Sequence, residues 1–260
     1  MTVAPQALLK DALKRLAMKN DRVRQIMEDS KASRYLALFM ELPSRHKAQL
    51  VETWRAAESQ FGQDLFVLSE LDFKTDGYFV EFGATNGIEF SNTYLLETRF
   101  GWTGILSEPA RVWHEDLKRN RHCHIDTHCV WRESGSALAF NETNSGVLST
   151  IDVFSRSDHN AESRSKGRTY SVNSISLLDL LHKYNAPSII DYLSIDTEGS
   201  EFDILSNFDF NRYQFRVITC EHNFAPQRER ICSLLKEHGY MRKFEMVSDV
   251  DDWYVRAGQP

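Results

Sequence analysis

Along the first fifth of the chain, apolar residues recur at helical spacing. From Tyr78 onward they gather instead into short runs. Leu9, Leu13, Leu16 and the stretch from Met18 to Val23 recur near helical spacing, and Pro5 suits a first turn. A helix is therefore predicted over 5–29. A second is predicted over 33–58, interrupted near Pro43, because proline removes a backbone donor. Beyond residue 78, strand-like runs at 78–82, 104–107, 124–130, 192–195 and 215–220 alternate with helical stretches. The stretches fall at 91–99, 111–120, 174–184, 201–205 and 228–238. This alternation predicts an α/β fold with a mostly parallel central sheet and helices on both faces. Strand patterns at 240–247 and 252–255 add an antiparallel C-terminal edge. One stretch has no apolar period: "SRSDHNAESRSKGR" at 155–168. It is read either as a mobile cover over a site or as an unstructured insertion.

These patterns divide the chain into an N-terminal helical region, 1–58, and a main domain, 59–260. Charge follows the same division. Residues 1–50 carry ten Lys/Arg against five Asp/Glu, and the remainder carries 21 against 32. A basic helical cap resting on an acidic body is the simplest reading. An arm that forms a homodimer through the N-terminal helices is the second. The basic residues are dispersed among Leu and Ala rather than clustered, so no nucleic-acid partner is expected. No apolar run is long enough for a membrane span, and the N-terminus lacks a signal pattern. Cys123, Cys129, Cys220 and Cys232 form no CxxC pair, so a reducing, cytoplasmic setting with free thiols is expected.

The candidate chemistry begins at "YFVEFGATNG", residues 78–87. In an open parallel sheet, ligands bind beyond the C-terminal ends of the strands at the switch point. Gly83 and Gly87 allow a tight turn there, and the helix that follows offers unpaired N–H groups. Their spacing does not match the dinucleotide pattern GxGxxG. What stands is E-x-G-x-x-x-G, with Glu81 two residues before the first glycine. An acid in that place suits a ligand with a cationic amino group, which S-adenosylmethionine has. "GILSEP" then puts Glu108 at the tip of the second strand, where a carboxylate accepts hydrogen bonds from a ribose diol.

Four segments in order resemble the FkbM-type methyltransferases: "SQFGQDLFVL" (59–68), "GYFVEFGATNGIEFSNTYLLE" (77–97), "GWTGILSEP" (101–109) and "DYLSIDTEGSEFDIL" (191–205). The resemblance covers roughly 59–245 and implies a Rossmann-like class I methyltransferase fold that uses S-adenosylmethionine. It implies that Glu81 lies near the methionine amino group, with Gly83 and Gly87 in the turn beneath the cofactor. Asn86 and Asn92 would fix the methionine carboxylate, Glu108 the ribose, and Gln63 would approach from outside the first strand. The adenine would lie near Cys129 and Val130. It also implies a hydroxyl acceptor on a small molecule or sugar.

The reacting end falls at the next two strand tips, with Asp196 and Glu198 after one and Glu221, His222 and Asn223 after the other. A hydroxyl acceptor needs a general base or a metal. His222 is the base by intrinsic pKa, with Asp196 orienting and Glu221 beside it. Alternatively, Asp196, Glu221 and His222 hold a divalent ion such as Mg²⁺ or Mn²⁺. Glu198 and Ser200 are read as helix caps, and Glu201 and Asp203 as a solvated face. His122, His124 and His128 share one predicted strand face but lack a zinc-ligand turn. Two other functions fit parts of the pattern. One is a catalytically silent S-adenosylmethionine-binding module; the other is a metal-dependent hydrolase built on Asp196, Glu221 and His222, which leaves the glycine turn and Glu108 unused.

Overall fold

A computed structural model describes residues 21–157 and 160–258, with backbone alone described over 21–30. Helix α1 (Asp21–Glu41) is followed by a 3₁₀ turn at Ser44–His46 and by α2 (Lys47–Thr53). The part of the predicted first helix before residue 21 lies outside the described residues. The gap predicted near residues 30–32 is absent, because no glycine or proline interrupts α1 there. The helix stops before Pro43, as predicted. Next come α3 (Gln63–Glu70), β1 (Tyr78–Phe82), α4 (Tyr94–Phe100), β2 (Thr103–Ser107) and α5 (His114–Asn120). Then follow β3 (His124–Asp126), β4 (Cys129–Trp131), β5 (Ala137–Glu142), β6 (Thr150–Ile151), α6 (Ala161–Arg164) and β7 (Arg168–Ser176). The chain ends through α7 (Leu177–Lys183), β8 (Ile189–Ile195), α8 (Glu201–Ser206), β9 (Gln214–Glu221), α9 (Arg228–Glu237), β10 (Tyr240–Lys243) and β11 (Asp251–Arg256).

Seven strands form the main sheet in the order β10-β11-β9-β8-β1-β2-β3. The five from β9 to β3 are parallel, and β11 enters antiparallel between β9 and β10. The order reverses between β1 and β8, which makes their C-terminal tips the switch point. Alternation along the strands sends side chains to two cores. Val80, Phe82, Ile105, Leu193, Ile195 and Ile218 face Leu180, Leu205 and Leu235 on one side. Phe79, Leu106, Tyr192, Val217 and Trp253 face Phe66, Leu95 and Leu117 on the other. Tyr35, Leu38, Leu42 and Leu50 join that second core, so the described N-terminal helices pack directly on the sheet's face.

A second sheet, β4-β7-β5-β6, has no counterpart in the expected element list. The single strand expected over 124–130 is split between the two sheets. Asp126 causes the break: its Oδ1 accepts from His128 N (2.8 Å) and lies 2.7 Å from His128 Nδ1, while Lys183 Nζ donates to Oδ2 at 2.7 Å. The chain turns at that carboxylate and pairs β4 with β7 instead. His122 precedes β3 and His128 follows it, so the three histidines do not share a strand face.

Because Leu38 (1% exposed) shares its core with Phe66 and Trp253, Leu38→Ala is expected to destabilise by about 2–5 kcal/mol. Urea unfolding should still show one transition. A separate early transition, or an unchanged midpoint, would mean that the cap folds on its own.

Candidate active site

At the switch point the strand tips approach so closely that one side chain must be missing. A Cβ on Gly83 would lie 2.1 Å from the backbone oxygen of Asp196, and Gly83 has φ +76°. Glycine is required there to bring the end of β1 against the end of β8, and its N–H donates to Ser107 O at the end of β2 (3.1 Å). A cavity opens over these three tips, with an empty volume of about 830 Å³ out to its mouth. Glu81, Gly83, Asn92, Glu108, Asp196 and Glu198 all line it.

Glu81 is buried (2% exposed), with a carboxyl pushed above the usual range chiefly by desolvation. Asn92 N donates to its Oε1 at 2.7 Å, while the Ser91 and Thr93 hydroxyls donate to Oε2. The acid thus pins the entry to α4 as well as lining the cavity. Arg121, wholly buried, closes this network from behind. It donates to Glu97 (2.6 Å), Gly87 O (3.1 Å), Ser91 Oγ (3.0 Å) and Thr93 Oγ1 (2.8 Å), and stands 3.8 Å from Glu81. Gly87 belongs to this rear wall and does not line the cavity. A Cβ there would meet Arg121 Cγ at 2.6 Å and Leu117 Cδ1 at 2.7 Å. Asn86 also turns away, its Oδ1 accepting from Ile88 N and Glu89 N (2.9 Å each). Asn92 does face the cavity. Its Nδ2 donates to Ser194 Oγ (2.9 Å), and its buried Oδ1 has no hydrogen-bond partner.

Glu108 forms the second wall. Its Oε2 accepts from Thr85 N (2.9 Å) and its Oε1 from Ala110 N (2.8 Å). Burial pushes this carboxyl up to about 8, against the pull of those two N–H groups. Cys129 and Val130, at the start of β4, line the same side. Gln63 does not line the cavity: its Nε2 donates to Asp251 Oδ2 (2.6 Å) and its Oε1 accepts from Phe61 N (2.9 Å). Gln60, three residues earlier, lines it instead.

The expected trio of Asp196, Glu221 and His222 does not assemble. His222 Nδ1 accepts from Phe224 N (3.0 Å), and Nε2 faces Asp252 Oδ1 at 3.6 Å. Burial lowers its pKa to about 4. Glu198 takes its place: one oxygen each from Asp196, Glu198 and Glu221 lies within 4.8 Å of the other two. Burial, then the neighbouring Asp196 and Glu198 carboxylates, push Glu221 well above the usual carboxylate range. Glu198 is not a helix cap. It sits at φ +59° and accepts from Arg164 Nη2 (2.7 Å) and Asn223 Nδ2 (3.2 Å). No side chain caps this helix; Glu201, its first residue, instead folds back so that its Oε1 accepts from Thr197 N and Gly199 N (3.0 Å each) in the loop before it. Glu201 is therefore buried, not solvated.

Two buried arginines were missed by sequence reasoning, Arg121 and Arg164. Each is hidden inside a polar stretch, and its partners lie tens of residues away. Arg164 comes from the stretch expected to be a mobile cover or an unstructured insertion. There α6 carries it inward, where its Nε donates to Leu148 O (2.9 Å) beside the Glu198 pair.

An open, mostly parallel sheet with an antiparallel C-terminal hairpin, and a cavity at its switch point, defines a Rossmann-like protein of the class I methyltransferase type. Residues 81–242 match the methyltransferase FkbM domain, and the chain belongs to that family. No curated protein matches it. Among solved structures it is similar to a precorrin-6y C5,15-methyltransferase from Geobacter metallireducens GS-15. That match has 13% identity and a TM-score of 0.38, over 69% of this chain and 71% of that one. It is also similar to a METTL16 methyltransferase domain, with 12% identity and a TM-score of 0.36, over 74% of this chain and 64% of that one.

The closeness of the strand tips can be tested with two alanines. Gly135 also has positive φ, but a Cβ there meets nothing within 4 Å. Gly83→Ala should cost at least about 2 kcal/mol more than Gly135→Ala, since only Gly83 adds a backbone collision to the strain. Equal losses in thermal or urea melts would contradict the close approach.

Proposed function

We propose that this chain transfers the methyl group of S-adenosylmethionine to a hydroxyl oxygen of a small molecule or sugar. The observation that carries the reading is Glu108, a buried carboxylate at the tip of β2. Each of its oxygens holds only one backbone N–H and keeps acceptor capacity for a ribose diol. Asn92 supports it from the opposite wall, because its unpartnered Oδ1 suits an N–H of the methionine ammonium beside Glu81. That pairing revises the expected role of Asn92, since an acceptor atom repels a carboxylate. Cys129 and Val130 offer an apolar wall for the adenine.

The cofactor supplies an electrophilic methyl on a positively charged sulfur. The residues must therefore align the acceptor oxygen and receive its proton while the S–C bond breaks and the C–O bond forms. Asp196 and Glu198 line the cavity where the β8 tip meets it, and are the groups on that wall that can take that proton. His222 is unsuited, with Nδ1 held by a backbone N–H and Nε2 turned to Asp252.

Glu108 supplies the test through its proton. Its carboxyl in the free protein sits near 8, so it is mostly protonated at pH 7. Diol hydroxyls donate to the ionised form, so binding lowers this pKa and releases a proton. Affinity for S-adenosylhomocysteine should therefore rise with pH up to about 8 and then level off. At pH 7, calorimetry in buffers of different ionisation enthalpy should report a net release of protons, and Glu108→Gln should reduce that release and weaken binding by roughly tenfold or more. Absence of binding would overturn the reading, and so would proton release that is unchanged in Glu108→Gln.

A further inference from the structure

The carboxylates at the tips of β8 and β9 are more than a cluster of acids. Asp196 and Glu198 line the cavity already described. Glu221 lines a second one, with an empty volume of about 690 Å³ out to its mouth, shared with Phe154, Asn223, Gln227 and Arg230. The three side chains therefore meet at the wall between two cavities. Glu198 and Glu221 are at most 9% exposed, and Asp196 is half-buried. Glu221 Oε2 is buried with no hydrogen-bond partner, which is a costly state for a carboxylate oxygen and one that calls for a ligand. The Arg164 guanidinium pairs with Glu198 at 2.7 Å and so holds one edge of the group.

We propose that Asp196, Glu198 and Glu221 together hold one hard divalent cation of the Mg²⁺ or Mn²⁺ class. The donor atoms are all oxygen, which selects that class over zinc or copper. Their mutual spacing within 4.8 Å lets three oxygens contract onto one ion. Three carboxylate ligands leave coordination positions open, and the second cavity adjoins them on the Glu221 side. Resting on the methyl-transfer reading, this names the acceptor's class: a hydroxyl with a second oxygen donor beside it, such as a sugar diol, entering through the cavity that Glu221 lines.

The cation can be tested without any methyl donor. The chain, stripped of metal, is titrated with Mn²⁺, and free Mn²⁺ is read by electron paramagnetic resonance. One Mn²⁺ should bind per chain and be displaced by Mg²⁺. Glu221→Gln and Asp196→Asn should each weaken it by about tenfold or more. Circular dichroism reports whether each variant is folded. If Glu221→Gln does not fold, Asp196→Asn, at the half-buried position, carries the comparison. Mn²⁺ left free by the wild-type protein up to about 1 mM, a concentration corresponding to only ~4 kcal/mol of binding, would overturn the proposal. Folded variants that bind as tightly as wild type would overturn it too. S-adenosylhomocysteine binding, measured without metal, reports on the methyl-donor reading separately, so the two failures are distinguishable.

Discussion

The site depends on one steric constraint, the seating of the Asp196 carbonyl in the space that a side chain on residue 83 would fill. That contact lies where the sheet reverses its strand order, and it sets how near the tips of β1 and β8 can come. Gly83 N bonding to Ser107 O ties the β2 tip to the same point. Glu81, Glu108 and Asp196 then surround one cavity because each sits within two residues of a tip that the contact draws inward. A glycine that reads as a flexible turn residue acts here as a packing surface between strands.

Two buried arginines hold the walls around that point. Arg121 braces the rear of the glycine turn through Glu97, Ser91 and Thr93. It leaves Glu81 partly neutralised but still lining the cavity. Arg164 does the equivalent on the other side, tying the segment after β6 to Glu198. Both sites contain non-glycine residues in left-handed backbone conformations: Thr85 in the glycine turn, Glu198 after β8, and Asn223 and Phe224 after β9. Such conformations persist only where surrounding bonds hold them. Here those bonds include Glu108 to Thr85 N and Asn223 to Glu198.

The central sheet was legible in the sequence because its strands are short apolar runs between helical stretches, and the antiparallel C-terminal edge followed from the same pattern. Glu81, Glu108 and Asp196 were legible because their places depend only on where a strand ends. The second sheet was not, since β5 and β7 face solvent along much of their length and carry little apolar signal. The division of 124–130 between two sheets depended on Asp126 finding Lys183, 57 residues away. His222 drew attention by its intrinsic pKa. Its backbone partner Phe224 N and its neighbour Asp252 decide otherwise, and neither is visible in the spacing. Glu198 and Glu201 both depart from their expected roles for a similar reason: both acids are near the start of α8, and only the fold shows that Glu201 turns back to the N–H groups of residues 197 and 199 while Glu198 is buried against Arg164.

The central claim is that the cavity over the tips of β1, β2 and β8 is the methyl-donor site. The most direct measurement is a crystal structure of the chain with S-adenosylhomocysteine. It should show the ribose hydroxyls on Glu108, the amino group between Glu81 and Asn92 Oδ1, and the adenine against Cys129 and Val130. The sulfur should be directed toward Asp196 and Glu198. A ligand bound elsewhere, or a ribose out of reach of Glu108, would contradict it.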